Sequence, residues 1–520
     1  MLHGLGYLPC YSYYSQTIGP SDWWLSTNDW AGYASSRWKA SKTLVFTLGG
    51  RWEMEQLSPA ITRLKNPDLP LTQSLPRLGS QWGPRLGVAW GAAESHWPVL
   101  RLGYGMYFSR TPNAQLETAL TQTGSINGDL SFFMRPTDNL RGGGAPPFPY
   151  VLAGQPGAVV RPDAVEYASS FRNGEVHEAE VSLQESLPGH VRLEASGVAS
   201  LGRRLPVTTD ANIDPAANPK SITYQVVDGD GSGPIKVPQI TVPFFASWPS
   251  ANAASGFAGR LNPNYQKVLE VVSGANSTYE ALLLRLSRNA RGLTFRARYT
   301  LGHAADWNPD DSPMVGGPSV LDPIDFRQEY GTSDLDVRHS LTSAVIVQPN
   351  WKLRGAPGAI ANGWMMSGVG QLHSGLPYTM RTAGSLAKEF NLSGEPIVGL
   401  GTGMNGYGGD NRVYGIGRNT YRYPATWKAD LRIAKRFDLG QMRQLELMAE
   451  SFNLFNHQNV TQVETTGYAV EQGTMNGAMP RLSFVTGLKK GQTEFGKPLS
   501  VNATDVLRER QFQFGARVRF

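Results

Sequence analysis

The chain has 520 residues, a formal net charge of +6 and 10% aromatic residues, but only 17% charged residues. Its aromatic content excludes a disordered chain, and its basic residues form no Lys/Arg block that would indicate a nucleic-acid partner. No apolar run approaches the roughly 18 residues that a membrane-spanning helix needs. Mean hydropathy is −0.30, and strands that alternate lipid-facing with lumen-facing residues account for low charge and low hydropathy together.

The chain is predicted to begin with an irregular segment at residues 1–29, which continues from a part outside this chain. Residues 30–520 are predicted to form a single β-barrel portion. No Lys or Arg lies between Met1 and Ser36, so we expect no signal peptide within this chain. The single cysteine, Cys10, is expected to form neither an internal disulfide nor a multi-cysteine metal site.

Alternation of apolar and polar residues over about ten positions predicts about twelve strands and a terminal one. The first of them has the least regular pattern. The predicted strands are 30–39, 42–54, 84–92, 98–109, 176–185, 190–201, 278–288, 292–303, 336–348, 362–373, 426–437, 443–455 and 511–520.

The links between these strands alternate in length. Short links fall near 40–41, 91–97, 186–189, 289–291, 349–361 and 438–442. Long links fall near 55–83, 110–175, 202–277, 304–335, 374–425 and 456–510. Outer-membrane barrels join their strands by short periplasmic turns and long extracellular loops, so this asymmetry predicts such a barrel with a periplasmic C-terminus.

Arginines on the polar side of the alternation are candidates for the barrel lumen. The predicted lumen-facing residues are Arg285, Arg296, Arg298, Arg432, Arg517 and Arg519. We expect them to pair with acidic residues on neighbouring strands, namely Asp430, Glu446 and Glu450. Contact with a plug or with an anionic solute is the alternative role, and the sequence does not decide between the two.

One loop string resembles a cation site. Asp228, Asp230 and Ser232 supply oxygens at alternate positions, as in the first half of a calcium loop. Pro234 follows the glycine, and Gln239 stands where the loop needs a glutamate, so these three residues are only weak candidates. We interpret the string as a polar turn and predict no metal.

The sequence offers no candidate for catalysis. It contains no Ser/His/Asp order, nucleophile elbow, zinc-binding helix or phosphate-binding loop, so we predict neither an enzyme nor a cofactor. His339, beside Asp336 and Arg338, resembles an acid–base group. Its position at a strand end, sharing a face with Leu341, favours an interfacial ring instead.

Four stretches resemble a known family. They are LVFTLGGRWE at 44–53, PRLGVAW at 84–90 with LRLGYGMYF at 100–108, SDLDVRHSL at 333–341 and AESFNLFNH at 449–457. In this order they look like the barrel of TonB-dependent receptors, especially Oar-like members with a carboxypeptidase-regulatory-like domain. The resemblance implies an all-β, transmembrane, antiparallel barrel in the cell outer membrane. Only about 12 of the family's expected 22 strands are visible, so the chain is expected to be either a C-terminal portion with an open or incomplete barrel, or a shortened barrel that closes on its own.

The resemblance also implies partners. Outer-membrane lipid would surround the strands, and the barrel-assembly machinery would recognise the aromatic last strand through Phe520. An unidentified extracellular ligand would bind the long loops. A plug domain and TonB are expected only if upstream sequence supplies the plug and its TonB box.

These features predict an outer-membrane receptor or transporter, which binds a ligand with its long loops and admits it through a normally plugged lumen. Two alternatives remain open. The first is a surface barrel without transport, adhesin-like or structural. The second is a secreted soluble β protein that binds glycans.

Overall fold

The structure is a computed structural model that describes most of the chain. The described residues are 14–20, 22–91, 98–134, 146, 149–154, 162–216, 220–247, 259–307, 320–349, 351, 353–384, 388–390, 396–399, 403–440, 443–471, 479–487, 492–504 and 506–520. Cys10 lies outside them. Among the described residues, no helix has the length and apolar character that a membrane crossing requires.

The described strands are numbered in chain order. The first fourteen are β1 (Tyr14–Ile18), β2 (Asn28–Lys39), β3 (Leu44–Gln56), β4 (Gln81–Trp90), β5 (Val99–Phe108), β6 (Leu130–Met134), β7 (Ala164–Tyr167), β8 (Glu175–Leu187), β9 (Val191–Asp210), β10 (Lys220–Val227), β11 (Gln239–Phe244), β12 (Ala246–Ser247), β13 (Val268–Ala290) and β14 (Leu293–Asp306). The others are β15 (Gly331–Thr332), β16 (His339–Val347), β17 (Trp364–His373), β18 (Pro377–Tyr378), β19 (Arg381–Ala383), β20 (Lys388–Phe390), β21 (Pro396–Gly399), β22 (Tyr421–Arg422), β23 (Thr426–Gly440), β24 (Arg443–Phe452), β25 (Val460–Val463), β26 (Thr466–Glu471), β27 (Arg481–Phe484), β28 (Pro498–Val501) and β29 (Gln511–Arg519).

Within the described residues, helical structure is confined to short segments. The α-helices are α1 (Asn113–Thr121) and α2 (Gly355–Ala361). Single turns of 3-10 helix occur at Thr62–Leu64, Pro70–Gln73, Phe326–Glu329 and Gly409–Asn411.

β7 and β15 join the fifteen-stranded main sheet by pairing with β13 and β14. The other thirteen strands form its path, in the order β2-β3-β4-β5-β8-β9-β13-β14-β16-β17-β23-β24-β29. Each pairs with its neighbours in antiparallel fashion, so the chain runs up and down through the sheet. Among the described residues no pairing joins β2 to β29, and the sheet is therefore open at these two edges. The antiparallel barrel predicted from the sequence is confirmed as the fold class, with each predicted strand close to an observed one.

The two faces of the main sheet differ in chemistry along whole rows of paired residues. One row of paired residues crosses ten strands, from β3 to β23, and carries aliphatic or aromatic side chains: Leu44, Trp90, Leu100, Leu183, Ala195, Leu284, Tyr299, Leu341, Leu372 and Trp427. A row on the opposite face crosses seven strands with polar ones: Gln184, Glu194, Arg285, Arg298, Thr342, Gln371 and Lys428. We name these the apolar face and the polar face. A strand wall between lipid and an aqueous lumen requires this division.

Tight turns fix the register at one end of the sheet. Arg291 and Gly292 form a two-residue link between β13 and β14, and Gly292 has a φ of +86°. A positive φ at such a turn matches the twist of the flanking strands, and glycine adopts it without a steric penalty. The short links therefore hold each hairpin in the register that keeps apolar residues on one face.

The buried hydrophobic clusters lie mainly in the long loops. One cluster is built from residues between β9 and β13, β17 and β23, and β24 and β29, and it includes Tyr224, Met404 and Tyr468. Another combines α1 with Val165 and Val271. On the strands, by contrast, large apolar side chains such as Leu284 and Phe514 are exposed. Lipid takes the place of a protein core on that face.

The structure departs from the sequence prediction outside the membrane wall. The segment 1–29, predicted to be irregular, contains β1, which pairs with β6. β9 and β13 extend well beyond their predicted ends, and the long loops contain further strands. The link 349–361, predicted only as a short link, contains α2.

Candidate functional site

Three long loops join in one small sheet, which we name the loop cap. Its order is β11-β10-β27-β26-β19, so it combines the loop after β9, the loop after β17 and the loop after β24. β10 pairs with β27 in parallel, and β19 pairs with β26 in parallel. Parallel pairing needs segments that are brought together from distant parts of the chain, so the three loops form one folded unit.

The loop cap has its own core. Tyr224, Tyr468 and Leu482 are fully buried within it. The Tyr224 hydroxyl donates a hydrogen bond to the carbonyl of Met404, and the Tyr468 hydroxyl accepts one from the amide of Ile235 at 3.1 Å. Buried hydroxyls that are satisfied in this way fix the relative positions of the loops.

Buried ion pairs attach the loop after β17 to the rim of the main sheet. Arg412 donates to both oxygens of Glu329, with Nη2 to Oε2 at 2.5 Å, and both side chains are almost completely buried. Burial raises the pKa of Glu329, although Arg412 opposes the effect. A charge that is buried with its partner is costly to separate, so this pair holds the segment before β15 against the loop.

Two further arginines of the same loop reach the ends of strands in the main sheet. Arg418 forms an ion pair with Asp306 at the end of β14. Arg422 pairs with Asp336, which is buried just before β16. The sequence predicts no role for either arginine, and both lie in the long link 374–425. No periodic pattern marks them, because their acidic partners lie far away in the chain.

Asp336 and His339 do not form the acid–base group that their spacing resembles. Asp336 accepts a hydrogen bond from the amide of Ala304 at 2.6 Å and contacts His303 at 3.2 Å. His339 instead bonds through Nδ1 to the hydroxyl of Tyr299 at 2.8 Å. The position of His339 beside Tyr299, with the two rings tilted, agrees with the interfacial role predicted for it.

A second Tyr–His pair repeats this arrangement. The Tyr104 hydroxyl lies 2.8 Å from Nδ1 of His177, between β5 and β8. Both pairs lie on the apolar face, with His177 and His339 near the loop ends of β8 and β16 and the tyrosines further into the sheet. Aromatic rings with a polar tip are favoured at membrane interfaces, so the histidine of each pair indicates the outer boundary of the apolar face.

Four aromatic rings cluster beside the loop cap, and we name them the aromatic cluster: Tyr378, Tyr421, Tyr423 and Phe495. The ring centroids of Tyr378 and Tyr423 are 5.2 Å apart, and those of Tyr421 and Phe495 are 4.8 Å apart. The rings come from two long loops, the one after β17 and the one after β24. Such rings offer large apolar areas with hydroxyl groups, which suits recognition of a bulky ligand.

Two acidic side chains face each other where β7 pairs with β13. Glu166 and Glu270 are register partners in this parallel pair. Burial, and then the charge of Glu270, raises the pKa of Glu166 to about 7, and burial raises the pKa of Glu270. One Glu166 carboxyl oxygen is buried without a hydrogen-bonding partner in the described structure. No local pattern marks this pair, because its members lie in two different predicted links, 110–175 and 202–277.

The arginines predicted to face the lumen all lie on the polar face: Arg285, Arg296, Arg298, Arg432, Arg517 and Arg519. Three of them pair across strands, Arg285 with Glu194 at 3.0 Å, Arg432 with Glu450 at 3.6 Å and Arg517 with Glu446 at 3.8 Å. Asp430, also expected as a partner, pairs with Lys428 at 3.1 Å instead.

Arg296 and Arg298 have a different environment. Both are exposed, and within the described residues neither makes an ion pair. Arg298 lies directly opposite Arg285. Two like charges in this arrangement destabilise the pairing of their strands unless an anion lies near them. This part of the polar face therefore offers positive charge to a partner or a solute.

The weak calcium candidates form hydrogen bonds within their own turn and stabilise it. The two carboxylate oxygens of Asp228 accept the amides of Gly231 at 3.0 Å and Gly233 at 2.9 Å. Asp230 accepts both the amide and the hydroxyl of Ser232. Within the part of the chain that the structure describes, no group of three or more His, Cys, Asp or Glu could hold a metal ion.

An open groove of about 620 Å³ crosses β8, β9, β13 and β14. Its lining includes small residues such as Ala199 and Gly302, together with the polar side chains of Glu280 and His303. The groove exists because small side chains interrupt the larger residues of neighbouring rows. It is a shallow depression in the sheet and not an enclosed ligand cavity.

A comparison with protein families gives one match over nearly the whole chain. The family model described as "Outer membrane beta barrel domain" matches residues 5–513. No curated protein matches the sequence.

Solved structures similar to this chain include outer-membrane transporters and receptors. The outer membrane transporter YddB from Escherichia coli is 9% identical, with a TM-score of 0.43, over 88% of this chain and 44% of its own. The FrpB iron transporter (F3-3 variant) from Neisseria meningitidis is 12% identical, with a TM-score of 0.40, over 84% of this chain and 43% of its own. The ferripyoverdine receptor of Pseudomonas aeruginosa, bound to ferripyoverdine, is 11% identical, with a TM-score of 0.41, over 95% of this chain and 39% of its own. The chain thus spans less than half the length of each.

Proposed function

The chain belongs to the outer membrane beta-barrel domain family, and from this premise we propose that it forms the strand wall and ligand-binding outer surface of a receptor-type transporter. The observation that carries the proposal is the loop cap. Three long loops converge in one sheet with a shared core, and buried ion pairs tie one of them to the rim. A preorganised outer surface loses little conformational entropy when it binds a ligand.

The aromatic cluster is the proposed contact surface for the ligand. It lies between two of the loops that build the cap, so a bound molecule would touch both. Its chemistry favours a bulky ligand with planar or apolar groups together with hydrogen-bonding atoms. Neither the chemical identity of that ligand nor its charge is part of the proposal.

The polar face is proposed to line the path of uptake. Arg296 and Arg298 project from it without ion pairs in the described residues, so they suit contact with an anionic solute or with acidic groups of a plug domain. A plug and TonB enter the proposal as partners only where upstream sequence supplies them. Phe520 is proposed to serve as the assembly signal that the barrel-assembly machinery reads.

The open edges of the main sheet support a larger barrel. β2 and β29 each have one edge that no described strand pairs. Lipid cannot satisfy unpaired backbone N–H and C=O groups, so a membrane-embedded form needs further strands at both edges. We propose that strands outside this chain complete the barrel, which makes this chain its C-terminal portion.

Uptake by cells tests the proposal. Cells that produce the full protein are offered a panel of labelled bulky solutes, including ferric chelates, oligosaccharides and peptides, and accumulation is compared with that of cells lacking it. We expect at least one solute to accumulate only when the protein is present. The double variant Tyr378→Ala/Tyr421→Ala should lower that accumulation at least about tenfold, since each buried aromatic contact contributes about 1 kcal/mol or more.

A matched variant controls for damage to the loops. Leu499→Ala changes an exposed residue of β28 in one of the same loops and should leave uptake unchanged. Surface binding of a solute without its accumulation would favour the alternative of an adhesin-like or structural barrel. Absence of both binding and accumulation across the panel would leave the receptor proposal without support.

A further inference from the structure

The link between β16 and β17 carries a helix on the outside of the sheet. The link leaves the sheet at the end with the short turns, which is the periplasmic end. We name its described residues from Trp351 to Trp364 the α2 segment. Lys352, which falls within that stretch, lies outside the described residues.

Lys435 fixes the helix against the apolar face. This residue follows Leu431 and Ile433 by the period of two along β23 and lies opposite Trp364 in the register, so it shares their face. Its ammonium donates to the carbonyls of Ala359 at 2.7 Å, Ile360 at 3.0 Å and Asn362. A cation at the C-terminus satisfies carbonyls that the last helical turn leaves free.

The environment of Lys435 is unusual for a charged side chain. It is only 7% exposed, and its Nζ lies 5.2 Å from the ring centroids of both Trp364 and Phe437. A buried ammonium is stable when carbonyls and ring faces replace water around it. The fold therefore uses the charge to hold α2 in one place beside the strand wall.

Further hydrogen bonds brace the rest of the α2 segment. Asn362 accepts the amide of Trp351 at 3.1 Å and donates to the carbonyl of Leu353 at 2.9 Å. The Trp364 indole donates to the carbonyl of Ile360 at 2.8 Å. The segment is thus a closed loop of defined shape, even though the short helix buries only Gly358.

This braced segment presents its large apolar side chains outward. Ile360 is 73% exposed, Trp351 63% and Leu353 49%, and Arg354 beside them is also exposed. They are continuous with Trp364 and Phe437 on the lipid-facing wall. The bracing prevents them from turning inward, so in water this surface would carry an unfavourable hydration free energy.

We propose that the α2 segment is an interfacial anchor that inserts Trp351, Leu353 and Ile360 into the periplasmic leaflet of the outer membrane. Its occupant is phospholipid, because the segment continues the lipid-facing wall at the depth where headgroups begin. Apolar side chains enter the acyl boundary while Arg354 remains among the headgroups, as in amphipathic segments that lie in a membrane plane. Lys435 is the positioning residue that holds the anchor to the wall.

Depth measurement on the full protein tests the proposal. In a background without other cysteines, Cys10→Ser included, Ile360→Cys is labelled with an environment-sensitive fluorophore, and the protein is inserted into vesicles of phosphatidylethanolamine and phosphatidylglycerol. We expect blue-shifted emission and stronger quenching by spin labels near the headgroup than by spin labels deep in the acyl chain. The same label at Pro188→Cys, in the short β8–β9 turn at the same end, should behave as in water.

A third position separates this proposal from the barrel assignment. A label at Leu284→Cys, on the apolar face, should be quenched by deep spin labels. Quenching at Leu284→Cys with a water-like Ile360→Cys would overturn the anchor alone, whereas a water-like Leu284→Cys would overturn the membrane placement on which the proposed function rests. Ile360→Cys that is shielded without any lipid quenching would indicate a protein partner and would also overturn the anchor.

A separate measurement tests whether Lys435 holds the α2 segment against the strand wall. Lys435→Met keeps the stem but removes the donors, so the label at Ile360→Cys should lose its shallow quenching while the label at Leu284→Cys is unchanged. Unchanged quenching at both positions would refute the positioning role. Lys435→Arg, which retains charge and donors, should restore the shallow quenching, and the depth measurement at Ile360→Cys stands even where Lys435→Met does not fold.

Discussion

At the scale of single residues, the contact between β7 and β13 raises the pKa of Glu166. Its carboxyl group is 7% exposed, and its register partner on β13 is a second acid, Glu270. Both desolvation and like charge favour the neutral form, which explains the pKa of about 7. The pairing of β7 with β13 is consequently weaker when Glu166 is ionised.

The pairing of β7 with β13 should lose stability between about pH 4.5 and pH 7. Below pH 4.5, the ordinary pKa of a glutamate, Glu166 is protonated in both folded and unfolded states; between 4.5 and about 7 only the folded state retains the proton, so stability falls as the pH rises. The total loss is of the order of 3 kcal/mol. Glu166→Gln should remove the part of the loss that Glu166 causes, while the part due to Glu270, whose pKa burial also raises, should remain; the protease resistance of the 162–175 region against pH measures both.

The matched control for this titration is Glu509→Gln, which changes an exposed glutamate near the start of β29. It should leave the pH dependence as it is in the parent chain. If the parent and Glu166→Gln showed the same pH profile, the titration of Glu166 would have no role in the stability of β7.

The aromatic end of the chain supports a second prediction at residue scale. Phe520 is 93% exposed, and Phe512 lies on the same apolar side of the last strand. If the final ring is read by the barrel-assembly machinery, Phe520→Ala should reduce heat-modifiable barrel in outer-membrane fractions far more than Phe512→Ala. Equal yields from the two variants would make Phe520 an ordinary strand end.

At the scale of elements, the sequence predicted the strands that a local pattern defines and missed the strands that depend on contacts between distant segments. Strands of the wall, such as β14 and β29, were predictable because each contains a period-two alternation of apolar and polar residues. The strands β10 and β27 were missed, since they are short and are defined by pairing with each other. The same reason applies within the site: the arginines of the polar face follow alternation, whereas the partners of Asp336 and Glu166 depend on how loops meet.

Two adjacent leucines of β13 test the assignment of the faces. Leu284 belongs to the apolar row, and Leu283 lies on the polar face opposite Thr300. Leu284→Arg should lower the free energy of unfolding in lipid by about 2–4 kcal/mol, because it places a charge against acyl chains. Leu283→Arg, the same change one position away, should cost far less. Chemical denaturation of the two variants in vesicles measures the difference, and equal costs would contradict the assignment.

At the scale of the whole molecule, the open main sheet determines how the isolated chain behaves. β2 and β29 each offer a free row of backbone donors and acceptors in a region that faces lipid. Such edges pair with any available strand, including one from a second copy. The charged and aromatic side chains of β2 do not remove this tendency, since pairing uses only the backbone.

The isolated chain in detergent should therefore associate as its concentration rises. Sedimentation velocity would show the oligomers, and rapid amide exchange at β2 and β29 in dilute samples would identify the free edges. A stable monomer with slow exchange along both strands would mean that β2 and β29 close on each other, and the proposal of additional strands would then fail.

The parallel pairing of β10 with β27 also has a consequence for the order of biogenesis. Gln225 on β10 meets Arg481 on β27, so this contact closes a loop that contains six strands of the wall, from β13 to β24. Contacts between such distant segments form late, because loop closure carries an entropic cost until the intervening structure is in place. The loop cap can therefore form only after the last hairpins of the main sheet have been synthesised and have folded. Until then the rings of the aromatic cluster, which come from two different loops, remain apart, so the proposed ligand-binding surface is not yet formed.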